Sequence, residues 1–246
     1  MAEPLGAEGR TLCVVPIRAT DTRDQILTRI RASQADSVFS IHFANPTLFS
    51  RLESDGIPVV LIMNNEYQTQ VNSICVDDFQ GAYDACYVLV EAGHRSIAYV
   101  SAELPMLAGL RVDRLLGFQK CLTEHQIDLP SDFQPVVHVH HQDEVDAAVG
   151  KLMGGSTSPT AIFVMDDYLG VAVLESLRRL EIRVPQEVSV VCAGDVLDYS
   201  EPYVPRLSTV SIPFDAMGNA AVTLMRRRLT GDARQHEVLK VNQVYV

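Results

Sequence analysis

Short apolar runs alternate along this chain with longer segments whose apolar positions recur every three or four residues. The clearest unit runs from Pro159 to Val191. Ala161 to Met165 is a run of the kind buried on both faces of a parallel sheet. Asp166 and Asp167 follow where the strand stops and a helix begins, so one can cap the helix while the other faces a crevice. In that helix Leu169, Val171, Ala172, Leu174 and Leu177 form an apolar side, and Glu175, Arg178 and Arg179 mark the wet one. Pro185 ends the connection, and Val188 to Val191 is the next buried strand. Ligands of open parallel sheets bind at the carboxyl ends of the strands, which puts Asp166 where function usually sits.

The same alternation covers the rest of the chain. Strands are expected at Thr11 to Val15, Ser37 to His42, Pro58 to Ile62, Ser73 to Val76, Ile97 to Ser101, Val136 to Val139, Leu207 to Val210 and Val238 to Val246. Helices are expected at Arg23 to Arg31, Pro46 to Ser54, Asp78 to Glu91, Arg114 to His125, Val145 to Met153 and Asp215 to Leu229. Asp78 can cap the third of these, and Gly93 closes it in the C′ position. Strands interleaved with helices give parallel sheets covered on both faces. Roughly ten strands exceed what one compact sheet comfortably holds, so the fold class is α/β with two Rossmann-like subdomains. Residues 11–100 with 212–232 are expected to form the first, and 101–211 with 233–246 the second. Ala102 to Leu110 and Ser211 to Phe214 are the expected crossings.

Charge narrows the function. A formal net charge of −11 argues against nucleic-acid binding through the bulk surface, which needs clustered Lys and Arg to displace counterions. The basic cluster Arg226, Arg227 and Arg228 falls in the last turn of an expected helix, where cations suit the macrodipole. Five cysteines, none in a C-x-x-C pair, fit a reducing cytoplasm. Met1 to Arg10 lacks the basic and apolar regions of a secretory signal, and no apolar run is long enough to span a membrane, so no membrane partner is expected. His138, His140 and His141 invite a metal reading, but a third ligand is not evident nearby, and no metal or cofactor is expected. No nucleophile elbow, P-loop or dinucleotide fingerprint is present, so the chain does not read as an enzyme.

One ordered string is far more specific than its local roles. Val76-Asp77-Asp78, Gly81-Ala82-Tyr83 and Gly93-His94-Arg95 before Ile97 to Val100 resemble the effector-binding domain of LacI/GalR-type bacterial transcription regulators. Arg114-Leu115-Leu116-Gly117-Phe118 is similar to the R-x-x-G-F of that family. Pro159 to Ile162 with Asp166-Asp167, the run from Arg183 to Val191, and Pro205 to Val210 complete the pattern in the family's order. The resemblance covers Thr11 to Val246. It does not include the family's amino-terminal helix-turn-helix and hinge helix, nor the domain's first strand-helix unit. Thr11 to His42 looks like the second strand, helix and third strand.

The resemblance implies a periplasmic-binding-protein-like type I fold, a small polar effector in the cleft between two subdomains, a homodimer, and DNA contact only through an amino-terminal head. An exported sugar-binding protein shares the fold and is the alternative. Arg114 matches the arginine that reaches effector hydroxyls or carboxylate, and a fixed guanidinium fork suits vicinal oxygens; a helix-start salt bridge is the plainer reading. Asp166 matches a position that accepts hydrogen bonds from the effector, against a plain capping role. Asp77 lies at a strand end facing the same cleft. Where the family carries an effector-binding Asp after V-S-V-V, this chain has Gly194, and Asp195 is the nearest substitute. His140 or His141 falls near the family's stacking aromatic ring. Tyr168, Val171, Leu174 and Tyr203 match positions of the symmetric dimer interface; for Val171 and Leu174 the alternative is packing on their own sheet.

Overall fold

The computed structural model describes residues 9–18, 20–64, 71–103, 108–138, 141–232 and 237–245. The chain divides into two compact units, Met1–Val76 with Pro213–Val241 and Asp77–Ile212 with Asn242–Val246.

The first unit carries a four-stranded parallel sheet in the order β1-β2-β3-β9, from β1 (Val38–Ile41), β2 (Val59–Ile62), β3 (Asn72–Val76) and β9 (Val238–Val241). Its helices are α1 (Arg23–Ala32), α2 (Pro46–Ser54) and α7 (Phe214–Thr230). Both amino-terminal helices start where a side chain takes up a free amide. Thr22 and Gln25 close a reciprocal capping box on α1, and Asn45 Oδ1 accepts the Leu48 amide ahead of Pro46 at the first position of α2. Ile26, Ile30, Leu48, Phe49 and Leu52 then meet Val59 and Leu61 in one core.

The expected strand at Thr11 to Val15 does not form; the segment is irregular, and Val14 is 79% exposed. Among the described residues no backbone reaches it, for β1 pairs only with β2. A cavity of about 690 Å³ is lined by Leu12, Val14 and Ile17 together with Ile26, Phe39 and Met225. An apolar run becomes a strand only where a neighbour takes up its N–H and C=O groups, and composition alone could not reveal that the neighbour is lacking.

The second unit holds a six-stranded sheet, β10-β8-β7-β6-β4-β5. Its strands are β4 (Ile97–Ala102), β5 (Val136–Val137), β6 (Ala161–Val164), β7 (Ser189–Ala193), β8 (Ser208–Ser211) and β10 (Val244–Tyr245). All neighbours are parallel except β10, which runs antiparallel to β8. Helices α3 (Asp78–Glu91) and α4 (Ala108–Glu124) pack on each other, as do α5 (Gln142–Met153) and α6 (Asp167–Arg179). Strands β4 and β6 are buried throughout, the near-continuous apolar pattern of a parallel sheet covered on both faces. Tyr99, Phe163 and Phe118 fill the space between sheet and α4, with ring centroids 5.1 to 5.4 Å apart. Gly93, at φ +93°, ends α3 as expected, and the His94 amide reaches back to the Leu89 carbonyl at 3.1 Å. Among the described residues no helix is long and apolar enough to cross a membrane.

Two expected boundaries move. Residues 77–100 belong to the second unit, because β4 pairs with β6 from Ile97↔Ala161 to Val100↔Val164. Val238–Val241 belongs to the first, because it pairs with β3 from Ser73 to Val76. The units thus divide at 76/77 and not at the expected crossing Ala102 to Leu110, again at 212/213 within the expected Ser211 to Phe214, and a third time at 241/242. Strand-helix alternation reads the same on either side of a crossing, and only pairing partners show which sheet a strand joins. Helix α4 also begins at Ala108 rather than Arg114, since Ala108-Gly109-Leu110 offers no capping residue to mark a start.

Candidate functional site

The carboxyl ends of β4, β6 and β7 lie side by side in the second unit, and each is followed by a polar residue: Glu103, Asp166 and Gly194-Asp195. The two Asp-Asp pairs of the sequence are built alike. In each, the first aspartate caps the helix: Asp77 Oδ1 accepts the Gln80 amide at 3.2 Å, and Asp166 Oδ1 accepts the Leu169 amide at 2.8 Å. In each, the second aspartate is buried and reaches another element. Asp167 Oδ2 accepts the Leu197 amide at 2.8 Å and the Tyr199 hydroxyl at 3.4 Å. Asp78 pairs with Arg114. The cap of α3 is therefore Asp77 and not Asp78 as expected, because the residue before the first helical turn, here at φ −83° and ψ 77°, keeps the non-helical backbone that aims a carboxylate at the free amides.

Arg114 lies over the ends of β6 and β7. Its Nε and Nη2 both donate to Asp78 Oδ1 at 2.9 Å, and its Nη1 donates to the Met165 carbonyl at 2.5 Å. A guanidinium has five N–H groups, so these contacts leave one N–H on each terminal nitrogen. Gly194 has φ +83°, and a Cβ placed on it would come 3.9 Å from Arg114 Nη2. Asp166 stands close enough for the Arg114 charge to pull its carboxyl down, yet burial dominates and holds that carboxyl above its ordinary value. Burial also pushes up the Cys192 thiol, on β7 just before Gly194. The result is a fixed cation with hydrogen atoms to give, a carboxyl partly withdrawn from water, and space at a glycine. Such a constellation is suited to holding polar groups by hydrogen bonding.

The other expected residues are distributed unevenly around it. Asp195 is turned away to β8: its Oδ2 accepts the Ser211 hydroxyl at 2.7 Å and its Oδ1 the Ile212 amide at 2.8 Å. Both oxygens thus already serve the fold. His141 stands at the amino end of α5, exposed, 3.5 Å from Glu144; His140 lies outside the described residues. The histidine that makes the closest contact is His138, which the sequence reading considered only for metal. Its Nδ1 lies 2.8 Å from Glu144, whose carboxylate raises the imidazole's proton affinity, and its Nε2 lies 3.7 Å from Glu103. Among the described residues no group of three or more His, Cys, Asp or Glu is placed to hold a metal ion.

The expected interface positions divide. Tyr168 is 54% exposed and Tyr203 79%, Val171 is half-buried, and Leu174 packs against the unit's own core.

Residues 88–245 match the family described as periplasmic binding protein-like domain. The HTH-type transcriptional repressor PurR of Salmonella arizonae is 28% identical over 212 residues, which are 83% of this chain and 59% of the relative; the chain thus spans about three fifths of that protein. Among solved structures, the transcriptional regulator CelR in complex with cellobiose superposes with a TM-score of 0.81 at 24% identity, covering 100% of this chain and 75% of that one. A LacI family transcriptional regulator from Enterococcus faecium with bound ribose gives 0.76 at 18% identity, covering 100% and 89%. These likenesses agree on the fold, and the family match covers well over half of the chain. The chain belongs to the periplasmic binding protein-like domain family.

Proposed function

We propose that the second unit's strand ends bind a small polar effector, sugar-like or nucleoside-like, and that the chain is the sensing and dimerising part of a transcription regulator. The observation that carries this reading is Arg114, fixed by Asp78 and the Met165 carbonyl with N–H groups to spare beside Asp166 and Gly194. A guanidinium held in place before the ligand arrives loses little freedom on binding. Asp78 already balances its charge, so vicinal hydroxyls or a ring amide suit it better than a second carboxylate. The relatives' names support a regulator: PurR is a repressor, and the CelR and Enterococcus faecium structures hold cellobiose and ribose.

In this reading Asp77 stays a cap, Asp195 is absent from the contact, and His141 lies beneath the ligand's ring. Ligand binding biases one of two arrangements of the regulator, by its differential affinity for them. DNA is contacted through a segment other than this acidic surface. A thermal-shift screen of mono- and disaccharides, nucleosides and nucleobases identifies the class. Calorimetry on wild type and Asp166→Ser, which keeps a cap acceptor, then tests the site. A loss of affinity of about tenfold or more is expected for removal of a charged hydrogen-bond partner; equal affinity for both proteins removes Asp166 from the site.

A further inference from the structure

The turn that ends α3 sets His94 at the amino ends of β4, β6 and β7, whose carboxyl ends carry the candidate site. Its Nδ1 lies 2.9 Å from the hydroxyl of Thr160, the residue before β6, and its Nε2 lies 3.1 Å from the hydroxyl of Ser189, the first residue of β7. The Thr160 hydroxyl also reaches the Ser96 carbonyl, just ahead of β4, at 3.3 Å. The backbone follows the same path: the Thr160 amide donates to the Ser96 carbonyl at 2.8 Å, and the Ser189 amide to the Thr160 carbonyl at 3.0 Å. One half-buried imidazole thus joins the starts of three neighbouring strands.

Counting hydrogens selects the state of the ring. A neutral histidine carries one N–H, and its other nitrogen accepts. With the hydrogen on Nδ1, three hydrogens meet three acceptors: Nδ1–H donates to Thr160 Oγ1, the Thr160 hydroxyl to the Ser96 carbonyl, and the Ser189 hydroxyl to Nε2. With the hydrogen on Nε2, that N–H occupies the Ser189 oxygen and the Ser189 hydrogen is left over. The imidazolium has the same defect, because both nitrogens then donate. Among the described residues the Ser189 hydroxyl has no acceptor besides Nε2, and a polar hydrogen left unpaired in a half-buried place is costly.

We propose that His94 is a pH-sensitive clamp on this sheet: neutral, with its hydrogen on Nδ1, it ties the start of β7 to those of β4 and β6, and a second proton releases β7. The charged groups on the surrounding elements are engaged elsewhere. Arg95 donates from Nη1 to the Val90 and His94 carbonyls at 2.9 Å, Glu187 pairs with Arg183 at 2.7 Å, and Glu91 at the end of α3 acts on Tyr87. Burial is what acts on the ring, and it holds the imidazole below its ordinary 6.5. The unfolded chain therefore binds this proton more tightly than the folded one. The clamp's contribution is whole above 6.5 and is lost as pH falls below that value and through the folded one.

Long-range proton–nitrogen correlation spectra of the whole chain read both nitrogens of the ring, with His94 assigned through bonds from its own amide. At about pH 7.5 the expected spectrum shows Nδ1 protonated and Nε2 bare. Native-state hydrogen exchange of the Ser189 amide, corrected for its intrinsic rate, should lose protection about fivefold between about pH 7.5 and about pH 5.5, the worth of one hydrogen bond. His94→Gln, which does not titrate, should abolish that dependence on pH. A bare Nδ1, a ring that takes its second proton at 6.5 or above, or equal pH dependence in wild type and His94→Gln each overturns the proposal. The tautomer and titration of the wild-type ring decide the matter even where His94→Gln fails to fold.

Discussion

Arg114 and Asp78 form an ion pair 2.9 Å apart in which each side chain keeps only 4% of its surface exposed. Removing two charges from water costs several kcal/mol, and the pair recovers this only through close geometry and additional hydrogen bonds. Here the fork grips one carboxylate oxygen, and the Met165 carbonyl takes a further N–H. The pair thus ties the start of α3 to the end of β6 through α4. The side chain that the sequence marks as the effector contact is at the same time a structural one.

Truncating either partner alone should therefore be severe. Arg114→Met leaves a buried carboxylate without its counter-charge, which costs about 3–5 kcal/mol. Arg114→Met combined with Asp78→Leu removes both charges and should restore most of that loss. Urea denaturation of the two single variants and the double variant closes the cycle. Simple additivity of the two single losses would show that the charges are not coupled as described.

Much of this was legible in the sequence, and the exceptions have physical causes. Buried parallel strands such as Ala161 to Val164 announce themselves because both faces are apolar. Arg114 and Asp166 stand out in the sequence because each falls in a recognisable motif, although Arg114 lies inside α4 and not at its start. Asp78 as the partner of Arg114 was not, since the two are 36 residues apart and either aspartate of the pair could have capped α3. The engagement of Asp195 with Ser211 and Ile212 was equally hidden, because β7 and β8 become neighbours only in the sheet. Thr11 to Val15 misled for the opposite reason: its apolar residues suit a strand, but among the described residues no strand pairs with it.

Asp166 should make stability depend on pH in a particular direction. Burial holds its carboxyl above the ordinary 3.8, against the pull of the Leu169 amide and Arg114. A group with a raised folded value binds its proton more tightly folded than unfolded. Its contribution is fully present below 3.8 and is lost as pH rises through the folded value. At neutral pH the ionised carboxylate is thus a net cost. Asp166→Asn keeps a good cap acceptor and should melt above wild type at pH 7, with the advantage vanishing as pH falls toward 3.8. A melting difference that does not change with pH contradicts the assignment.

Gly117 should tolerate no side chain. A Cβ there would meet the backbone carbonyl of Phe79 at 2.0 Å, with the Phe79 carbonyl carbon at 2.9 Å. Backbone cannot swing aside as the end of a long side chain can. Gly117→Ala should therefore push α4 off α3 and cost about 1–3 kcal/mol or more, although alanine by itself favours a helix by about 1 kcal/mol over glycine. Chemical denaturation reads the balance, and an unchanged or raised midpoint would mean that the helices separate without cost.

Tyr168 and Tyr203 bear on assembly. Both are large and mostly exposed, Tyr168 in the first turn of α6 and Tyr203 in the turn before β8, whereas Leu174 of α6 is committed to the core. Exposed tyrosines offer much contact area at little entropic cost, and they are enriched at interfaces. A two-fold contact would place this patch against its own copy, so that each chain contributes both tyrosines. Tyr203→Glu then sets like charges near each other across the axis and removes two rings from the contact at once. The dimer should weaken about tenfold or more, about 1.4 kcal/mol, with the melting of the separate chains unaltered because Tyr203 is 79% exposed. Sedimentation velocity at micromolar concentration measures it. A folded monomer whose sedimentation is the same with and without Tyr203→Glu would remove this face from the assembly and leave Tyr168 and Tyr203 as isolated surface residues.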